Sequence, residues 1–318
     1  MLKKIFISAV LILAVLSFVV SLLKGNNNAE KTVTVPDRVA VINISGTIIS
    51  GADSKDNIFS QTNGVTSGSI MKQIREAAAD DSVKALVLRI DSGGGSATAA
   101  EEVRRELKRF KEKTKKPIVA TIGNTGASAA YWIAVCASDK VYANATTLTG
   151  SIGVYMPYMN TEELFKKIGI TSNKIKSGPY KDIMSSDRPM TPEEQAILQN
   201  IVNEIYEQFV TTVAVGRKME ESKVKSLADG RVYTGLQAKN LGLVDEIGDY
   251  YDALAAAGEL GKIKPGADGL PPVKAKEKQQ PWEFLLSAHI AELIKTELVN
   301  QLTGSLQQSG APAGGMTR

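Results

Sequence analysis

Twice in succession the chain runs from an apolar strand into a turn of glycine or other small residues and then into a helix, an order that points to parallel α/β packing. ALVLRI (85–90) breaks at Asp91-Ser92-Gly93-Gly94-Gly95-Ser96 and gives way to an alanine- and charge-rich helix over 98–112. PIVATIG (117–123) then breaks near Gly126-Ala127-Ser128-Ala129-Ala130, ahead of a helix over 128–137. Short apolar runs bounded by such turns read as buried strands. VAVINI (39–44), VYAN (141–144), SIGVYM (151–156) and SNKIKS (172–177) are expected as further strands, and helices are expected over 70–79, 161–168, 222–227 and 251–260. Thr191-Pro192-Glu193-Glu194 combines a Thr cap, Pro at the first helical position and Glu at the capping-box position, so a helix should run from there to about Gly216.

The flanks differ from this body. Residues 5–23 form an uncharged, almost wholly apolar run, long enough as a helix to cross roughly 28 Å of hydrocarbon. No A-x-A cleavage pattern follows it, which favours a retained transmembrane anchor over a cleaved signal. Lys3 and Lys4 on its amino side place residues 1–4 in the cytoplasm and the body outside, as a single-pass protein of the cell membrane. Residues 24–37 read as a stalk, 38–261 as the folded domain, 262–281 as a linker rich in Pro, Gly and Lys, 282–302 as an amphipathic helix, and 303–318 as a flexible tail.

One cysteine, Cys136, excludes an intrachain disulfide, so the fold rests on its core. The formal charge of +4 carries no basic block beside exposed aromatics, which argues against nucleic acid as a partner. Gly93-Gly94-Gly95-Ser96-Ala97-Thr98 fits neither G-x-x-x-x-G-K-[ST] nor G-x-G-x-x-G, so no nucleotide cofactor is expected, and no metal site is expected either.

A serine entering a helix from a buried strand has its hydroxyl near free amides and the positive end of the helix dipole, where an oxyanion can be stabilised. Ser128 is in that position, and the amide of Ala129 together with that of Gly94 or Gly95 could supply two donors. The single histidine, His289, lies in the C-terminal region, so a nucleophilic Ser128 needs another base. Lysine can serve when its surroundings favour the neutral amine. Lys181, in Ser177-Gly178-Pro179-Tyr180-Lys181-Asp182, is the candidate, and Ser151 offers a hydroxyl to orient it. Cys136, Trp132 and Asp91 read as structural residues.

IDSGGGSATAAEEV, GASAAYWIA, LTGSIGV, SGPYKDIMSSDRPMTPEEQ and DGRVYTGLQAKNLGLVDEIG together resemble, in order and spacing, the short single-repeat form of signal peptide peptidase A over roughly residues 38–260. The resemblance implies a ClpP/crotonase-like α/β fold of repeated strand-strand-helix units behind a transmembrane helix. It also implies a Ser/Lys dyad with Ser128 as nucleophile, Lys181 as general base, Ser151 holding the lysine, and the amides of Gly94 and Ala129 as oxyanion donors. The implied partners are signal peptides and similar hydrophobic peptides, the membrane, and other copies of the chain in a ring. Gly93 stands where the family usually has proline, and Ala129-Ala130 where it usually has two glycines; neither change removes an amide. The alternatives weighed against this protease are a crotonase-type acyl-CoA enzyme and a catalytically silent membrane scaffold.

Overall fold

The computed structural model describes residues 36–52 and 64–274. In chain order the strands are β1 (Arg38–Ser45), β2 (Thr47–Ile49), β3 (Gly64–Thr66), β4 (Val83–Ser92), β5 (Ile118–Ala127), β6 (Lys140–Ala143), β7 (Leu148–Gly150), β8 (Val232–Thr234) and β9 (Glu246–Ile247). The helices are α1 (Ser67–Ala79), α2 (Ala97–Thr114), α3 (Ala129–Val135), α4 (Glu162–Lys167), α5 (Pro192–Arg217), α6 (Glu221–Leu227), α7 (Gly235–Leu241) and α8 (Tyr250–Leu260).

The order β1-β4-β5-β6-β9 forms a parallel sheet. The central strand β4 is buried over Ala85–Leu88 because both faces are covered there, as parallel sheets require. Along β4, Leu86, Leu88 and Ile90 turn to a core shared with α1, α2, α3 and α5, while Ala85 and Val87 turn to a smaller core closed by Ala253, Leu254 and Ala257 of α8. Beyond Ile122 the end of β5 leaves β6 and pairs with β7, which in turn pairs antiparallel with β8. Gly126 permits this turn-off, since a Cβ there would stand 2.4 Å from the Ile122 side chain. Thr149, fully buried, ties the two strands by donating to the Gly126 carbonyl at 2.7 Å.

The α/β architecture and the two strand-turn-helix units follow the expectation, and the Thr191 capping box forms: Glu194 N–H donates to Thr191 Oγ1, and Thr191 N–H to Glu194 Oε2. The membrane anchor does not carry over. Among the described residues no helix is long and apolar enough to cross a membrane. The longest, α5, carries Glu193, Glu194, Glu204, Glu207 and Arg217. The run 5–23 lies outside the described residues, as do 275–318, where the amphipathic helix and the tail were expected and where His289 falls. The transmembrane helix, the membrane as partner and the single-pass, extracytoplasmic placement all rested on that run, and they are withdrawn from the reading.

Three local expectations are corrected. Residues 151–156 are not a strand, because β7 stops at Gly150 and Ser151, whose φ values of 81° and 50° turn the chain out of the sheet. SNKIKS (172–177) finds no strand to pair with, and Lys174 and Lys176 bind Asp187 and Asp182 instead. The expected linker belongs to the body as far as Lys274. Ile263 is buried, Val39 N–H donates to the Pro272 carbonyl, and Lys274 N–H donates to the Val39 carbonyl, so the segment covers the β1 edge.

Candidate active site

Ser128 stands between the end of β5 and the first turn of α3 with φ 54° and ψ −127°, a conformation that non-glycine residues adopt at a cost of about 1–3 kcal/mol. The strain is held by packing. Ala127, Ala129 and Ala130 are buried on either side, the Ser128 N–H donates to the Gly150 carbonyl, and the Ser128 carbonyl accepts from Trp132 N–H. Trp132 in turn stacks on Phe209 of α5 at 4.7 Å. Although Ser128 occupies the cap position of α3, its hydroxyl makes no capping hydrogen bond. It is left for the cavity.

The glycine turn after β4 packs directly on this serine. A Cβ on Gly94 would lie 2.8 Å from Ser128 Cβ and 3.0 Å from the Ala129 nitrogen, and its φ is 107°, so close approach and backbone both demand glycine. Buried Ser92 sets the turn: its hydroxyl donates to the Gly46 carbonyl at 2.5 Å and accepts the Gly94 N–H at 3.1 Å. In this structure the Gly94 amide is engaged by the Ser92 hydroxyl. The amides of Gly95 and Ala129 make no hydrogen bond among the described residues.

Ser128 and Ser151 open on one cavity of about 640 Å³, within the range of ligand sites. Gly93 and Gly95 lie on one wall, and Asn203 and Tyr206 of α5, with Asp229 and Gly230, on the other. That far wall was missed in the sequence. DGRVYTG stood out as a motif but carried no chemical signature, and nothing local marks Asn203 or Tyr206 as neighbours of a serine 75 or more residues earlier. A second cavity of about 610 Å³ shares Val154, Tyr155 and Val202 with the first and is lined by Met156, Met184 and Met190.

Lys181 is not part of this assembly. It is exposed, does not line the cavity, and makes no hydrogen bond to Ser128 or Ser151. The structure thus brings together Ser128, Ser151, Gly94, Gly95 and Ala129 and leaves Lys181 apart from them. Cys136 is no rival nucleophile, since burial pushes its thiol up to about 12. Among the described residues no group of His, Cys, Asp and Glu could hold a metal ion.

The sequence profile of peptidase family S49 matches residues 110–264. A Synechocystis protein described as a candidate protease is 41% identical over 228 residues, covering 72% of this chain and 76% of the relative. Protease 4 of Salmonella typhi is 39% identical over 226 residues, 71% of this chain and 35% of that protein. The chloroplastic serine protease SPPA of Arabidopsis thaliana is 32% identical over 228 residues, 71% of this chain and 33% of its own length. Each match spans roughly the same length of this chain, whereas the two larger relatives extend well beyond it. By this likeness the chain belongs to peptidase family S49 and is a serine protease.

Proposed function

We propose that the protein is an endopeptidase in which Ser128 is the nucleophile and Lys181 the general base. The observation that carries the reading is the strained Ser128 turn, with its hydroxyl uncommitted and facing a cavity. The neutral lysine amine takes the Ser128 proton as Oγ attacks the peptide carbonyl. The oxyanion is met by the amide of Ala129 with that of Gly94 or Gly95, and the protonated amine then gives its proton to the leaving nitrogen. Water, deprotonated by the same amine, releases the acyl group and restores the serine.

Ser151 is positioned to hold the amine in place once the lysine arrives, since it shares the cavity with Ser128. For the dyad to form, the stretch bearing Lys181 must close on a Ser128 cavity. Tyr155, Met159, Ile168 and Ile175 are exposed along that stretch and provide the apolar surface that closure would cover. The methionine-lined cavity beside the serine suits extended peptides with apolar side chains, because methionine adapts to varied shapes.

The test is covalent. A phosphonylating probe should add one equivalent to Ser128, identified by peptide mass, and Ser128→Ala should remove both labelling and peptide turnover. Labelling elsewhere, or turnover by the variant, would overturn the assignment.

A further inference from the structure

We infer that Arg188 is a positioning residue for the proposed base, locking the segment that carries Lys181 onto the first turn of α5. The inference rests on the reading of Lys181 given above and names what holds that lysine's backbone in place. Arg188 Nε donates to Asp182 Oδ2 at 2.9 Å and Nη2 to Asp182 Oδ1 at 2.8 Å. The same guanidinium turns Nη1 to Glu194 Oε2 at 2.8 Å and Nη2 to Glu194 Oε1 at 2.5 Å. One planar group therefore clamps two carboxylates, a geometry open to arginine and closed to lysine.

The two carboxylates belong to different parts of the machinery. Asp182 is the residue next to Lys181. Glu194 is buried, with a side chain 2% exposed, and already closes the capping box at the start of α5. Further along, α5 supplies Asn203 and Tyr206 to the Ser128 cavity and is anchored in the core by Phe209, Val210 and Val213. A rigid helix thus connects the core beside the nucleophile to the clamp, and the clamp to the lysine's neighbour. The segment has no core of its own, since 168–181 is exposed almost throughout and has no regular structure.

The surrounding groups complete the clamp. Lys176 Nζ donates to Asp182 Oδ1 at 2.5 Å, and Lys174 lies 3.9 Å from Asp182 Oδ2 while pairing with Asp187. From the other side Tyr158 donates its hydroxyl to the Arg188 carbonyl at 2.5 Å, and Thr161 N–H donates to the Ser186 carbonyl at 2.6 Å. The Arg188 guanidinium holds Asp182 well below the usual carboxylate range and Glu194 down to about 2. Folded values lowered in this way favour the ionised clamp above the ordinary carboxylate range, and that contribution fades only as pH falls through the lowered values. Between about pH 5 and about pH 10 the clamp's carboxylates therefore stay charged.

The experiment compares kcat, KM and the pH profile of peptide hydrolysis by the full chain and by R188A, R188K, D182N and K181A. R75K serves as the control, since Arg75 makes an equally good fork on Glu106 between α1 and α2, away from the cavity. R188A is expected to lower kcat on the order of 10²-fold, the scale of a small misplacement of a reacting group, and to shift the pH profile while KM stays within about twofold. R188K keeps the charge and loses the fork, so it should recover no more than about a tenth of the activity. D182N should resemble R188A, and R75K should match the unsubstituted protein.

Wild-type kcat and pH profile in R188A, R188K and D182N, with K181A inactive, would overturn the clamp and leave the base assignment standing. Turnover by K181A would overturn the base assignment itself. An equal loss in R75K would reduce the effect to general stability and overturn the inference. If R188A does not fold, R188K and D182N carry the test.

Discussion

Ser128 and Lys181 sit on opposite kinds of structure. The serine is fixed by buried strands and by a glycine turn packed within van der Waals distance, with Ala127, Ala129 and Ala130 each 5% exposed or less. The lysine projects from a stretch in which Tyr155 is 84% and Met159 72% exposed, and where order comes from ion pairs such as Arg188 with Asp182. The proposed nucleophile is therefore preorganised by the core. The proposed base is carried on an exposed stretch that is held by ion pairs instead of a core.

The largest effect should come from removing either end of the pair. Ser128→Ala and Lys181→Ala should each lower peptide turnover on the order of 10³-fold or more in folded protein, and Lys181→Arg should do the same because a guanidinium does not give up its proton. His289→Ala should keep near-full activity; its loss in folded protein would restore histidine as the base. Mixing the Ser128→Ala and Lys181→Ala proteins sharpens the comparison. Recovered turnover means that the lysine crosses between chains, and continued silence means that it closes within one.

The next contrast sets body against arm in stability. Leu88→Ala, at a fully buried position of β4, should cost about 2–5 kcal/mol in chemical denaturation, and Ile175→Ala, on a fully exposed residue, should stay within about 0.5 kcal/mol. A large loss from Ile175→Ala would show that the arm is covered in solution and would break the contrast.

Two smaller tests probe the turn against Ser128. Gly94→Ala forces a methyl group onto the serine and should reduce kcat about 10²-fold, while Gly93→Ala, with nothing within 4 Å of its Cβ, should change it less than about twofold. Equal effects would remove Gly94 from the description of the site. Ser92→Ala leaves a buried amide and a carbonyl without their partner and should cost about 1–3 kcal/mol of stability.

The sequence by itself determined the elements whose signals are local. Strands β4 and β5 are apolar runs ended by small residues, α5 opens on Thr191-Pro192-Glu193-Glu194, and Ser128 stands where a strand meets a helix; these are properties of a few adjacent side chains. Resemblance named Lys181 and Ser151 as candidates. Tertiary structure decided what depends on distant partners. The loop around Ser92 spends the Gly94 amide on a hydroxyl two residues back and leaves the Gly95 amide without a partner among the described residues, a choice made by backbone geometry at φ values of 107° and 151°. Pairing of β5 with β7 decided that 151–156 would leave the sheet, and docking on β1 decided that 262–274 would pack. The cavity's far wall and the clamp of Arg188 on Glu194 likewise depend on where α5 lies across the core. Such contacts join groups far apart in the chain, and no local pattern encodes them because their energy exists only once the intervening elements have packed.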